Sequence, residues 1–402
     1  MPQFQYLVRT KKGRKQTGKI SAISKREAYS KLRNKEMRVL EVKEVPETLL
    51  TKEITFGSHL KLRDFVVYLR QFSTLLKAGV TIVDATSILR NQTESKTLQR
   101  ALETIEDDLR AGRTLSSAYA VHKKMFSRMF ISMVKAGEST GQLDVTLENM
   151  ANYFEKQLRT RQKIQSAMAY PITVGIIAIA VVIFLLVQVV PTFVKMFQDN
   201  NAKLPWLTQM VVASSGWMQH YWWVLLCIVI FLYMNFMLIN RNKRSKYYVD
   251  YAILKLPLLG KMSQKAVIAR MTRTLSSLVV GAVPILQSLT IVEDVVDNEV
   301  ISRAIRKSRE ALQNGKPLSD PMKNHWVFPA LVSNMIAIGE ETGALDSMLE
   351  KVADFYEAEV EAATDRFKAV IEPAMVVLLS IIVGTIVLAI MIPLFTIYQN
   401  IH

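Results

Sequence analysis

Ala136-Gly137-Glu138-Ser139-Thr140-Gly141-Gln142-Leu143-Asp144 returns 202 residues later as Ile338-Gly339-Glu340-Glu341-Thr342-Gly343-Ala344-Leu345-Asp346. This pair decides the fold, because the correspondence spreads outward from it at nearly constant offset. Gly112 matches Gly315, Leu115 matches Leu318, Phe126 matches Phe328, Pro171 matches Pro373 and Pro191 matches Pro393. One architectural unit has been duplicated. Each copy ends in an apolar run, Ile172 to Val190 and Ala374 to Ile392, and about 19 helical residues suffice to cross a hydrocarbon core of roughly 30 Å. The chain reads as a membrane protein carrying two related modules.

Two modules that each finish with one crossing would lie on opposite sides of the membrane unless another span intervened. Tyr221 to Ile239 (YWWVLLCIVIFLYMNFMLI) supplies it: the run is uncharged, opens on an aromatic cluster and is followed by Arg241-Asn242-Lys243-Arg244-Ser245-Lys246. Basic clusters stay on the cytoplasmic side. Lys156, Arg159, Arg161 and Lys163 precede the first span, whereas only Lys195 and Lys203 follow it. The expected topology is an internal amino terminus, both modules cytoplasmic and an external carboxyl terminus. Trp206, Trp217, Trp222 and Trp223 are expected at the outer interface.

The fold class expected is an all-α membrane protein with two helical-bundle modules, three transmembrane helices and a small α+β unit at the amino terminus. Residues 1–45 form that unit and 46–57 a linker. The first module spans 58–171, the first transmembrane helix 172–194, an external loop 195–220 and the second transmembrane helix 221–240. A basic linker and the second module occupy 241–373, and the third transmembrane helix 374–397. In the first unit, alternating Phe4, Tyr6 and Val8, a turn at Gly13 and a run near Ile20 predict two strands. Ser24 and Glu27 have capping-box spacing ahead of a helix from Lys25 to Asn34, and Met37 to Val42 reads as a closing strand. In the modules, Leu69, Phe72 and Leu76, then Leu98, Leu102, Ile105 and Leu109, then Leu143, Leu147, Met150, Phe154 and Leu158 recur at three and four. Leu345, Leu349, Val352, Tyr356 and Val360 are the counterparts of the last set. Glycines between such patterns imply helical hairpins, about six helices per module.

Half the residues are apolar and the formal charge is +16. The basic clusters flank spans, where anionic lipid would hold them, and no nucleic-acid motif is present. Nucleic acid is therefore not an expected partner. Cys227 is the only cysteine, which leaves no disulfide or thiolate metal site to argue. Met1 to Arg14 has no apolar core, so no cleavable signal is expected. His59, His122, His220, His325 and His402 are scattered, and no metal or cofactor is expected. There is no Gly-x-x-x-x-Gly-Lys-Ser/Thr loop, so any ATP-derived energy must come from a partner. Gly137-Glu138-Ser139-Thr140-Gly141 satisfies the Gly-x-Ser-x-Gly pattern of a hydrolase elbow, which needs a strand before the serine. Helical character precedes it, and the second copy has Glu341 in place of Ser139. No enzymatic activity is expected.

The two Gly-Glu-x-Thr-Gly-x-Leu motifs, the Ala169-Tyr170-Pro171 and Ile371-Glu372-Pro373 junctions, Pro191 and Pro393, and the Phe4 to Val42 preamble together resemble the bacterial inner-membrane platform protein of type IV pilus assembly and type II secretion, the type II secretion system protein F family. The resemblance covers essentially the whole chain. It departs at Ser127, where the family tends to have proline; the second copy keeps Phe328-Pro329. The resemblance implies a non-enzymatic scaffold of the inner membrane that couples a hexameric cytoplasmic assembly ATPase to insertion of pilin or pseudopilin subunits into a filament. A retraction ATPase, other inner-membrane components, lipid and a second copy of the chain, as a dimer, are further partners it implies. Whether the machine serves a pilus, competence or secretion is not distinguished by these motifs.

The residues carrying the motif are Gly137, Glu138, Thr140, Gly141 and Leu143, and Gly339, Glu340, Thr342, Gly343 and Leu345. Their structural reading has the glycines ending one helix, the threonines capping the next and the glutamates satisfying backbone donors at the junction; their alternative reading is partner contact. Glu350, Asp354, Glu357, Glu359 and Glu361 read as a solvated face or a surface for a basic partner. Pro171, Pro191, Pro373 and Pro393 mark the membrane junctions. Gln188 and Asn235 are expected to face another helix of the chain, an oligomer mate or a pilin. A transporter is the rival from another class, since it too uses repeats, but it would need ionisable groups at mid-membrane and the three runs contain none.

Overall fold

The computed structural model describes residues 3–9, 15–21, 29, 38–44, 60–193, 205–257 and 259–400. They belong to two units, Met1–His59 and Leu60–His402.

In the first unit β1 (Gln3–Arg9), β2 (Lys15–Ser21) and β3 (Arg38–Glu44) form an antiparallel sheet in the order β2-β1-β3. Tyr6 lies opposite Gly18 on one side and Val42 on the other, and the β1–β3 register slips at Leu7/Val8. Tyr6 and Val8 alternate onto one face, Tyr6 half-buried and Val8 fully buried. All three strands match the expectation. The Lys25–Asn34 helix with its capping box, the turn at Gly13 and the 46–57 linker lie outside the described residues.

The second unit is helical, and the duplication is visible element by element. The first copy comprises α1 (Leu62–Lys77), α2 (Ile82–Gln92), α3 (Lys96–Arg110), α4 (Leu115–Val121), α5 (Arg128–Thr140) and α6 (Leu143–Phe184). Then α7 (Trp206–Arg241) and α8 (Lys243–Lys255) lead to the second copy: α9 (Leu259–Val280), α10 (Ile285–Val295), α11 (Glu299–Gln313), α12 (Asp320–Lys323), α13 (Ala330–Thr342) and α14 (Leu345–Asn400). Starts follow side-chain caps: Thr81, Ser95, Thr114, Ser127 and Asn298 each accept a bond from a first-turn N–H, which satisfies donors that no helical carbonyl can reach. Ser127 accepts from Phe130 N, and Pro329 takes nearly the same backbone angles at the start of α13. The departure at Ser127 thus replaces a rigid ring with a cap and leaves the turn intact.

Three- and four-residue spacing turns the apolar stripes inward. Leu69, Phe72, Leu102, Tyr119, Phe130 and Leu147 from the first copy share one continuous core with Leu275, Leu289, Ile305, Val332 and Val352 from the second. Direct bonds cross between copies as well: Tyr153 Oη lies 2.9 Å from Thr274 Oγ1, and Arg128 Nη1 lies 2.6 Å from Asp294 Oδ2.

The copies conserve interactions more strictly than residues. Arg70 binds Glu155 and Asn152 at 2.8 and 2.7 Å; its counterpart Arg273 binds Glu357 at 2.7 Å and also Asp354. Arg90 pairs with Glu106 at 3.0 Å, while Glu293 and Arg309, at the equivalent positions, pair at 3.3 Å with the charges exchanged. Gly79 and Ala282 both end their helix with positive φ, +81° and +54°.

Neither module stops where its apolar run begins. Pro171 lies inside α6, and α6 continues through a π-helical turn, Leu185–Val189, to Phe193; α14 passes Pro373 and Pro393 without a break. At 1.5 Å per residue the 51 and 56 residues of these rods extend about 77 and 84 Å. By length and composition two helices are able to cross a membrane, and three if α7 counts as one span bent by 66°. That bend replaces the expected 195–220 loop over its described part. Residues 206–220 are helical, and non-helical Tyr221 (φ −121°, ψ 20°) separates them from the apolar arm. Thr208, Val211 and Ser215 recur at helical spacing and are buried, with Val211 packed among Leu186, Val190, Ile386 and Ala389; a polar composition hides this amphipathic stripe from a hydropathy reading. Trp206, Trp217 and Trp223 are exposed.

Candidate functional site

The repeated motif builds the same joint twice. Glu138 reaches back to the start of α4, where its carboxylate accepts from Leu115 N at 2.5 Å and Ser116 N at 3.1 Å. Glu340 accepts from Leu318 N and Ser319 N at 2.5 and 3.1 Å. An anion at a helix start faces unpaired N–H groups and the positive end of the dipole. The glutamates therefore satisfy backbone donors, as expected, but those of the preceding short helix rather than of their own junction. Gly141 and Gly343 end α5 and α13 at φ +71°, a left-handed position that favours glycine. Gly137 and Gly339 answer a different need. A methyl at Gly137 would lie 2.8 Å from Thr146 Cβ, and one at Gly339 2.8 Å from Leu345 Cα, so each glycine lets the next helix approach. The threonines do not cap that helix: Thr140 Oγ1 donates to Ala136 O at 3.1 Å and Thr342 Oγ1 to Ile338 O at 2.7 Å, each within its own last turn. Leu143 is buried and Leu345 half-buried against the core. Ser139 is exposed in the last turn of α5, where it donates to Lys135 O, which is not the geometry of a strand-to-helix elbow.

A seam of charge joins the two long helices. Lys156 and Lys163 of α6 pair with Asp354 and Glu361 of α14 at 3.0 and 2.7 Å. Arg273 and Lys265 of α9 bind Glu357 and Glu359. Four of the five carboxylates expected on a solvated or partner-facing surface are thus neutralised by this chain's own bases. Burial raises the pKa of Asp354, but hydrogen bonds from Arg273 and Lys156 outweigh it and hold the carboxyl below its ordinary value. The hydrogen bond from Arg70 lowers that of Glu155.

Within the apolar segments the decisive atoms are carbonyls. A proline has no N–H, so the carbonyl four residues before it in an α-helix loses its partner. In the π-helical turn Val190 N donates to Leu185 O, which leaves Leu186 O facing Pro191. Ser215 Oγ donates to Leu186 O at 2.5 Å, and Gln219 Nε2 lies 3.4 Å from Val187 O. On the other rod, Ala389 O lies four residues before Pro393, and Thr208 Oγ1 donates to it at 2.7 Å. Both duplicated prolines free carbonyls, and the 206–220 helix fills them. Sequence reading missed Thr208, Ser215 and Gln219, although their seven- and four-residue spacing was available as a signal. It favoured Gln188 and Asn235 instead. Asn235 Nδ2 donates to Phe231 O of its own helix, and Gln188 is exposed, so neither joins the described helices together.

Comparisons with known proteins agree along the chain. Residues 68–191 and 271–393 match the family described as Type II secretion system (T2SS), protein F, and residues 1–43 match the Type II secretion system protein F, N-terminal domain. The chain is 37% identical over 401 residues to the type IV pilus assembly protein PilC of Thermus thermophilus, covering 99% of this chain and 98% of that one. It is 34% identical to the protein of the same name from Myxococcus xanthus, covering 98% and 94%. It is 30% identical to the type II secretion system protein F of Pseudomonas aeruginosa, covering 99% of both chains.

Proposed function

The chain belongs to the type II secretion system protein F family, and on that premise we propose that it is the inner-membrane platform through which a cytoplasmic assembly ATPase drives pilin or pseudopilin subunits into a growing filament. The observation that carries this reading is mechanical. The rods α6 and α14 run unbroken from the helical modules into the apolar segments and are tied together by Lys156–Asp354 and Lys163–Glu361. A helix is stiff along its axis, so a load on either module reaches the membrane ends of both rods. The absence of a nucleotide-binding loop in the sequence fits a part that receives force rather than generates it. Among the relatives compared, pilus assembly proteins reach higher identity than secretion proteins, which favours a pilus as the product.

Photo-crosslinking in living cells tests the proposal. Probes on exposed positions of either module, such as Val121 and Lys323, are expected to capture a hexameric ATPase, and probes on the exposed faces of the apolar segments to capture a pilin-like subunit. Recovery of the platform with only itself and lipid, in cells expressing the ATPase, would overturn the reading.

A further inference from the structure

Between α6 and α9, on the module side of the first apolar segment, lies an open groove of about 540 Å³, within the roughly 300–1,000 Å³ range of small-molecule sites. Ile164, Ala266 and Ala269 give it an apolar floor, and Gln157 and Gln165 offer hydrogen-bonding groups along α6, while the Thr160 hydroxyl donates to Lys156 O. Arg161 and Arg270 line it from opposite helices. Among the described residues neither arginine has an ion pair, whereas Lys156 and Arg273 in the same groove are neutralised by Glu357 and Asp354. The charge left for a ligand is therefore positive.

The duplication supplies a control. A fold-maintaining feature recurs in both copies, as the Glu138/Glu340 joint and the Arg70/Arg273 pair do. The residues that line the groove do not recur. At the equivalent positions Arg270 becomes Val67, Arg161 becomes Ala363, Thr160 becomes Ala362 and Gln165 becomes Phe367. The floor changes in the opposite sense, from Ala266 and Ala269 to the larger Arg63 and Val66. Of the two equivalent faces between copies, the α6–α9 face alone combines small floor residues with two free arginines. Neither feature is needed by a fold that its twin builds without them.

We propose that this groove is a binding site for a phosphate ester, gripped by Arg161 and Arg270 with its less polar part on the Ile164–Ala266–Ala269 floor. Guanidinium groups match phosphate oxygens in paired hydrogen bonds, and two of them converging from separate helices select a phosphate over a lone carboxylate. The ester has two sources: the headgroup of an anionic phospholipid, since α6 enters its apolar run eight residues beyond Ile164, or a soluble phosphorylated molecule. In either case ligand binding would clamp α6 to α9 and so join the two copies at the base of a membrane rod.

The test replaces the groove residues by those of the other copy, Thr160→Ala, Arg161→Ala and Arg270→Val, a set the duplicated fold already accommodates; an unchanged thermal midpoint in the triple variant checks this. Full-length protein in phosphatidylcholine nanodiscs is titrated with inorganic pyrophosphate, and protein in membranes containing a photoreactive phosphatidylglycerol is irradiated and mapped. Saturable pyrophosphate binding that weakens at least tenfold in the variant, on the order expected from losing charged hydrogen bonds, supports a soluble ester. Lipid adducts on 153–165 and 266–273 that fall at least tenfold in the variant support a headgroup. Binding and adducts that are absent, or equal in the variant, would overturn the proposal.

Discussion

Replacing Thr208 by valine removes one hydroxyl from a buried site and keeps the volume. The hydroxyl donates to Ala389 O at 2.7 Å, and Thr208 is 5% exposed. Ala389 O cannot recover an α-helical bond, because the residue four positions on is Pro393. The cost is then a buried carbonyl left without a donor, about 1–3 kcal/mol in protein interiors. Polar bonds between membrane helices measure lower, near 0.6 and up to about 1.7 kcal/mol, so we expect Thr208→Val to destabilise by about 1–2 kcal/mol. Equilibrium unfolding in mixed micelles reads this out. The decisive comparison is a cycle with Pro393→Ala, which returns an N–H to the helix. In that background Thr208→Val should cost at most about 0.5 kcal/mol, giving a coupling of about 1 kcal/mol. Equal costs with and without Pro393 would refute the reasoning that the proline creates the need for the threonine.

Glu340→Ala should cost about 1–3 kcal/mol, since two N–H groups at the start of a helix lose their anion, and Glu138→Ala should match it closely because the geometry is the same in both copies; hydrogen exchange at Leu318 and Leu115 locates the loss. Gly339→Ala should destabilise by about 1–3 kcal/mol, because the new methyl would press on the backbone at Leu345 Cα rather than on a flexible side-chain tip. Ala282→Gly should stabilise by about 1 kcal/mol by relieving a left-handed alanine, read as a raised thermal midpoint. Asp354 and Glu155 have folded pKa values below their ordinary 3.8 and 4.5. Their stabilisation is therefore present above those values and lost as the pH falls through the lower folded ones. The thermal midpoint should fall more steeply below pH 4.5 in the wild type than in Asp354→Asn plus Glu155→Gln.

The duplication, the helical class and the approximate number of helices were legible because they rest on periodicities that a sequence states directly. Thr208 and Ser215 were not legible. Their role depends on Pro393 and Pro191, 185 and 24 residues away along the chain, and hydropathy scores a threonine or serine the same whether it faces water or a freed carbonyl. The Glu138 and Glu340 contacts were half legible: a glutamate beside a helix junction suggests a cap, but which helix it caps depends on how the hairpin before it folds back. The acidic run on α14 misled for a related reason. Its bases sit on α6 and α9, and nothing local to residues 350–361 announces them.

Arg90–Glu106 and Glu293–Arg309 sharpen that point. The two copies agree on a salt bridge at this place and disagree on the sign of each partner, so the constraint acted on the pair and left the individual charges free to exchange. An isolated charged residue in either copy is consequently weak ground for inferring an external partner until its counterpart has been located inside the chain. Lys156, Lys163 and Arg273 satisfy that condition from within, and the carboxylates they bind are withdrawn from any partner surface. Arg161 and Arg270 do not satisfy it: no described carboxylate pairs with them and the twin copy carries alanine and valine instead. Duplicated chains offer this comparison at every position, and here it separates the charges that hold the two modules together from those that remain available to something else.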